Sequence, residues 1–234
     1  MNLKGKHIIV TGGSLGIGRA TANSLIEKGA KVLVTGRSTE RLDNAFNDLN
    51  CHTIEFDIGD TAKTEENAKK CIEILDGRVD VLINNAGLGE RKSIEELSID
   101  AFMKVFNVNV FGLALFTKEI VPLMKSQNGG TIINIGSTAS LKGYQTGSIY
   151  ASSKFAVRCL TQCWQAELRP HNIRVCQINP SEVTTAFGSR DRIERKEVDN
   201  KLSSKEIAHA ITSALEMDDR GFINELNVWA TNPF

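Results

Sequence analysis

The chain opens on a short β-branched run, KHIIVTG, that stops at glycine. The stretch after it, GIGRATANSLIEKGA, returns an apolar residue every three or four positions and closes on Gly29. That change of pattern predicts a strand, a glycine turn and a helix. The rhythm recurs: KVLVTG predicts a strand, STERLDNAFNDL a helix, HTIEFD a strand ending at Asp57, TAKTEENAKKCIEIL a helix and VDVLINNAG a strand. The second half continues with a helix from Ile99 to Lys125, a strand TIINIGS ending at Ser137, a helix from Tyr150 to Leu168 and a strand IRVCQINP. A helix KEIAHAITSALEM and a strand ELNVWAT complete it. Strands alternating with helices need crossovers that lay a helix on the sheet, so the pattern predicts an α/β architecture. The expectation is a single domain over residues 1–234, a doubly wound parallel seven-stranded sheet with helices on both faces. No Pro/Gly/Ser-rich linker or internal repeat interrupts it.

Composition narrows the classes. With 41% apolar and 24% charged residues, the 234-residue chain can bury a sizeable core. Lysine plus arginine equal aspartate plus glutamate at 28 each, with no basic block, which argues against nucleic acid as a partner. The N-terminal apolar run is too short for a secretory signal, and no stretch approaches the roughly 18 apolar residues of a membrane span, so a cytoplasmic protein without membrane contact is expected. The five cysteines, at 51, 71, 159, 163 and 176, form no C-x-x-C pair and the four histidines are scattered, so no metal site is expected. Cys159 and Cys163 share a helical face and read as packed apolar residues. The run RDRIERKEVDNK, residues 190–201, mixes both signs and reads as a solvated segment rather than an anion site.

Candidate chemistry begins at TGGSLGIG, residues 11–18, between the first strand and the first helix. Gly12 suits a tight turn, Gly16 a close backbone approach to a ligand and Gly18 close packing of helix on strand. The helix N-terminus offers unpaired N–H groups to a pyrophosphate. No lysine followed by serine or threonine makes it a Walker loop. The second strand ends VLVTGRS, with Gly36 where an acid would accept bonds from a ribose 2′-OH and Arg37 next to it. An arginine there can pair with a 2′-phosphate, so NADP(H) is favoured over NAD(H). Asp57 could accept a hydrogen bond from an adenine amino group or cap a helix.

Only two tyrosines occur, and one of them, Tyr150, stands four residues before Lys154 in SIYASSKFAV. At that spacing both lie on one helical face. A cation about 4 Å from a phenol, at an effective dielectric near 20, favours the phenolate by roughly 4 kcal/mol, about three pKa units, which would bring the tyrosine close to neutral working pH. Ser137 and NNAG, residues 84–87, fall at the carboxyl edge of the sheet, where open α/β folds bind ligands. Asn109, inside the long helix, needs a specific polar partner if buried.

Together these motifs resemble the short-chain dehydrogenase/reductase family over nearly the whole chain. TGGSLGIG matches its TGxxxGxG loop, NNAG its strand-stabilising motif, Ser137, Tyr150 and Lys154 its serine and YxxxK signature, and Asn109 its fourth catalytic residue. The resemblance implies a Rossmann fold and NADP(H)-dependent hydride transfer between the cofactor and a carbonyl or secondary alcohol of a small substrate. Tyr150 would donate the proton, Ser137 orient the oxygen, Lys154 bind the nicotinamide ribose and lower the tyrosine pKa, and Asn109 hold a relay water. The implied cofactor contacts are Gly12, Ser14, Leu15, Gly16, Ile17, Gly18, Arg37, Asp57, Ile58, Asn85, Ala86, Gly87, Tyr150, Lys154, Pro180, Val183 and Thr185. A substrate lid at about 186–203 and a homodimer or homotetramer, with Phe111, Leu115 and Trp164 as candidate interface residues, are also implied. Where the family has PGxVxT this chain reads PSEVTT, so Ser181 puts the local turn in question. Members that reduce 3-oxoacyl carrier-protein substrates carry basic residues after the fourth helix, where MKSQNGG offers Lys125 alone, and LNVWATNPF is similar to members acting on small hydroxy acids or carbonyl compounds. The alternative is a catalytically silent NADP(H)-binding regulator on the same fold.

Overall fold

The β-branched runs become strands in the computed structural model, which describes residues 1–187 and 191–233. They are β1 (His7–Val10), β2 (Lys31–Gly36), β3 (Cys51–Glu55), β4 (Val81–Asn84), β5 (Gly130–Ile135), β6 (Ile173–Pro180) and β7 (Glu225–Val228). Every pair is parallel and the sheet runs β3-β2-β1-β4-β5-β6-β7. The chain leaves β3 at one edge and re-enters beside β1 as β4, so strand order reverses between β1 and β4 and opens a crevice at their carboxyl ends.

Between the strands lie α1 (Gly16–Glu27), α2 (Thr39–Phe46), α3 (Thr64–Ile74), α4 (Ile99–Phe106), α5 (Leu113–Ser126), α6 (Ser148–Leu168) and α7 (Ser204–Glu216). Alternate strand residues point to opposite faces, and this alternation divides the core in two. Val10, Val34, Ile83, Ile135 and Ile178 pack with Leu25 of α1, Leu42 of α2 and Ile211 of α7. Their neighbours Ile9, Leu33, Leu82, Ile132 and Val175 pack with Cys71 of α3, Phe116 and Ile120 of α5, and Leu168 of α6. Each such side chain contributes about 1.5–3 kcal/mol on burial, so both helix layers are fixed to the sheet. The result is the doubly wound seven-stranded parallel sheet that the sequence pattern predicts, with the Rossmann fold that the family resemblance implies.

Three differences from expectation bear on the site. β3 ends at Glu55, and Asp57 lies beyond it in a turn where its Oδ1 accepts the Gly59 N–H at 2.8 Å. β5 ends at Ile135, so Ser137 heads the short 3-10 turn Thr138–Ser140 instead of closing the strand. The helix expected over Ile99–Lys125 is continuous but winds as a π-helix over Asn107–Gly112. An apolar period near 3.6 does not reveal one extra residue in a turn, and such widened turns collect at functional sites. The stretch Ile99–Ser126 is also long and apolar enough to cross a membrane by length and composition, yet Phe116, Ile120 and Met124 within it are fully buried against the sheet.

Candidate active site

The glycine loop is shaped by what crowds it. Gly12 has φ 66°, and a Cβ there would stand 2.7 Å from the Ala86 Cα, so both backbone angle and space require glycine. A Cβ on Gly18 would lie 2.4 Å from Asn85 Nδ2. The NNAG segment clamps the loop: Thr11 Oγ1 accepts the Asn85 and Ala86 N–H groups at 3.1 Å each, and Asn85 Nδ2 donates to the Thr11 and Gly12 carbonyls at 2.9 Å each. α1 then starts at Gly16 with neither a capping side chain nor an acid in its first turn, leaving its first amides to an anion.

A cavity of about 1130 Å³ runs from this loop along the carboxyl ends of the strands. One end is lined by Gly36, Arg37, Ser38, Arg41 and Asp57, the other by Ser137, Tyr144, Tyr150 and Phe187. Of the contacts expected for a cofactor, Gly12, Ser14, Leu15, Gly16, Ile17, Arg37, Asp57, Ile58, Asn85, Ala86, Gly87, Tyr150, Lys154, Pro180, Val183 and Thr185 all face it. Gly18 does not face it and acts by packing. The donors fit an elongated anion: the amides of the α1 N-terminus in the middle, where Gly16 N–H already holds the Glu194 carboxylate, arginine at one end and the Tyr150 phenol at the other. Asp57 heads no helix, and with Oδ1 on Gly59 its Oδ2 lies 3.9 Å from the Arg37 guanidinium.

At the far end the three side chains of the predicted signature converge. The Ser137 hydroxyl lies beside the Tyr150 phenol, where it favours the ionised form, and accepts the Ala139 N–H at 3.1 Å. The Ser137 backbone is held through its N–H by Ser140 Oγ and Asn179 Oδ1, each at 3.2 Å. Behind it a buried chain of polar side chains crosses the sheet, Asn84 to Asn134 to Thr161 to Gln177 to Asn179, in steps of 2.7–3.1 Å. The strand register makes this possible, since Asn84 lies opposite Asn134 and Asn134 opposite Gln177. A buried network of this kind holds its members in place, and with them Ser137, although Asn84 Oδ1 at its far end has no hydrogen-bond partner among the described residues.

Lys154 is 4% exposed, and its Nζ donates to the Ile135 carbonyl at 2.7 Å while lying 5.8 Å from the centre of the Tyr150 ring. The lysine does not pull the phenol towards neutral pH here. Burial pushes Tyr150 up to about 12, with the Ser137 hydroxyl opposing, and burial pushes Lys154 down to about 8. The low polarity around both groups penalises either charge, which outweighs an attraction across that distance. Tyr150 is therefore a protonated donor throughout the neutral range. Asn109, 1% exposed, lies behind the cavity wall. Its Oδ1 accepts the Leu88 N–H at 2.8 Å, and its Nδ2 donates to the Leu88 carbonyl at 2.9 Å and Ser153 Oγ at 3.0 Å. Its amide holds the strand-end loop and Ser153, whose own hydroxyl donates to the Tyr150 carbonyl at 2.7 Å.

A family model described as short chain dehydrogenase matches residues 6–196. The chain belongs to the short-chain dehydrogenase family. Relatives span its whole length: an "uncharacterized oxidoreductase" of Staphylococcus aureus (strain MRSA252) is 32% identical over 229 residues, covering 97% of both chains. Among solved structures, an alcohol dehydrogenase from the archaeon Thermococcus sibiricus complexed with 5-hydroxy-NADP superposes with a TM-score of 0.89 at 29% identity, covering 97% of each chain. Serine dehydrogenase from Escherichia coli superposes with a TM-score of 0.83 at 28% identity, covering 95% of this chain and 96% of that one.

Within this short-chain dehydrogenase several expectations need correction. Ser181 has no left-handed backbone, and its N–H donates to the Val228 carbonyl at 2.8 Å, so β7 sets the turn and serine is accommodated. Cys159 and Cys163 are exposed on α6 rather than packed, while Cys51, Cys71 and Cys176 are pushed up to about 12 by burial and are poor thiolates. Of the lid expected at 186–203, residues 188–190 lie outside the described residues. Ala186 and Phe187 line the cavity, and the Phe187 ring packs 5.6 Å from that of Tyr150. The charged run stays largely exposed, as expected, but Arg192 is half-buried and lines the cavity together with the exposed Arg195. The sequence reading missed Phe187, Asn179, Ser153 and Arg192; of these only Asn179, which follows Gln177 at alternate positions in a largely apolar strand, gave a visible signal.

Proposed function

We propose that this short-chain dehydrogenase is an NADP(H)-dependent reductase of small carbonyl compounds, ketones and 3-oxo acids or esters among them. The observation that carries the reading is the Tyr150 hydroxyl, beside Ser137 and backed by Lys154, at one end of a cavity whose other end is arginine-lined and whose middle is a helix N-terminus with no cap from its own N-cap side chain. NADPH, when bound, supplies hydride to the carbonyl carbon. The rest is the work of this chain. Tyr150 gives its proton to the carbonyl oxygen, and burial, which pushes the phenol up to about 12, keeps it protonated for that step at neutral pH. Ser137, fixed by Asn179 and Ser140, orients the same oxygen. Lys154 keeps one N–H on Ile135 and has two left for a ribose hydroxyl. Phe187 and Tyr144 give the substrate end aromatic walls. Arg37, in place of the acid that would bind a 2′-OH, supports the phosphorylated cofactor.

The test is NADPH oxidation against a panel of ketones, diketones and 3-oxo esters. Turnover of at least one, with NADH used more poorly, is expected. Tight NADPH binding with no turnover across the panel would sink the reductase reading in favour of a silent regulator.

A further inference from the structure

Residues 191–195 come 155 and more positions after the end of β2 at Gly36, yet the fold returns them to the end of the cavity that the residues after β2 build. Two contacts fasten them there. Glu194 Oε1 accepts the Gly16 N–H at 2.9 Å with its other oxygen 3.9 Å from the Arg19 guanidinium, and Arg195 donates to Glu182 at 3.0 Å. A carboxylate thus already occupies an amide that the glycine loop offers to an anion, which marks that amide as an anion site. Between β6 and this pair of anchors, Arg192 is half-buried and lines the cavity along with Arg37 and Arg41. Burial, and after it the charges of Arg37 and Arg41, lower its affinity for its own proton, so the three guanidiniums are electrostatic neighbours. Arg37 has Asp57 at 3.9 Å, but neither Arg41 nor Arg192 forms an ion pair among the described residues, and Glu40 on the same wall pairs with none of them.

Three like charges gathered at one end of a cleft repel one another, and an anion carrying more than one charge between them reverses the sign of that interaction. A phosphate monoester meets that need, because guanidinium forks match its oxygens in pairs. We propose that Arg192 is a third arm of the site that reads the 2′-phosphate of NADP(H), delivered by the segment after β6 to a pocket made by the residues after β2. The proposal rests on the NADP(H) reading above. A pyrophosphate on the Gly16 amide competes with Glu194, but the Arg195–Glu182 pair does not involve that amide and keeps Arg192 at the cavity.

Calorimetric titration of the full chain with NADPH, NADH and 2′,5′-ADP tests it. Arg192→Met is expected to weaken NADPH and 2′,5′-ADP by about tenfold or more and to leave NADH within about twofold, with Arg192→Lys recovering part of the loss. Equal weakening of NADPH and NADH, or no change in either, overturns the role of Arg192. Arg37→Met separates the two readings: if it abolishes the preference for NADPH while Arg192→Met does not, the inference alone fails. If the wild-type chain binds NADH as tightly as NADPH, the NADP(H) reading itself fails.

Discussion

The spacing of Tyr150 and Lys154 predicts a phenol drawn towards neutral pH, whereas the fold buries both groups and moves their proton affinities apart. Lys154 titrates near 8 in the fold, against about 10.4 for a lysine in water. The unfolded chain binds that proton more firmly, so the wild type gains stability as pH rises from about 8 to about 10, by no more than roughly 1.4 kcal/mol per pH unit. The opposite shift of Tyr150 costs stability only above about pH 10, where an unfolded tyrosine ionises first. Urea unfolding of wild type and Lys154→Met between about pH 7.5 and 9.5 should therefore show the difference moving in favour of wild type as pH rises. A flat difference would contradict a buried lysine of lowered affinity. The same two shifts suit a residue that must hold a proton until a carbonyl oxygen arrives.

At the level of elements, the crevice depends on how β1, β4 and β5 are joined at their starts. Asp80, the residue before β4, is 7% exposed and ties the three together. Its Oδ2 accepts the His7 N–H at 2.9 Å, its own N–H donates to the His7 carbonyl, and its carbonyl accepts the Thr131 N–H. Burial alone would raise this carboxyl, but the Arg78 fork, the His7 N–H and Lys6 more than offset it and hold it at about 2. Its folded affinity for a proton is below the unfolded one, so it stabilises the fold above about pH 4 and that stabilisation is lost as pH falls towards 2. Asp80→Asn should cost about 1–3 kcal/mol at pH 7 and less near pH 3. Equal urea midpoints for variant and wild type at pH 7 would refute the role. Asp80 also shows why strands were legible and their joints were not. A run such as VLVTG announces a buried strand by its side chains alone, whereas one aspartate bonding to His7 and Thr131 from the start of a strand leaves no periodic trace.

On the scale of the whole molecule, what could be read in advance is local in sequence: the glycine loop, NNAG, and the Tyr150–Lys154 spacing lie within single turns or strand ends. What could not be read joins distant segments. Phe187 reaches the Tyr150 ring, Asn109 reaches Leu88 and Ser153, and Arg192 and Glu194 return to the β2 end and the glycine loop. Their residue types carry no signal of those partners, and a mixed-charge run looks the same whether it is solvated or docked. Phe111 and Leu115, offered by the sequence for self-association, are 42% and 37% exposed on the outer helix layer, while Trp164 packs partly against the core.

In the proposed function all of these parts serve one step, proton donation by Tyr150 beside a bound nicotinamide cofactor. The direct measurement is a comparison of wild type with Tyr150→Phe, following NADPH binding by titration and carbonyl reduction by loss of NADPH absorbance on the best substrate of the panel. NADPH affinity within about twofold of wild type, with turnover lower by about 10²-fold or more, is the predicted result. Turnover by the phenylalanine variant within about tenfold of wild type would contradict it.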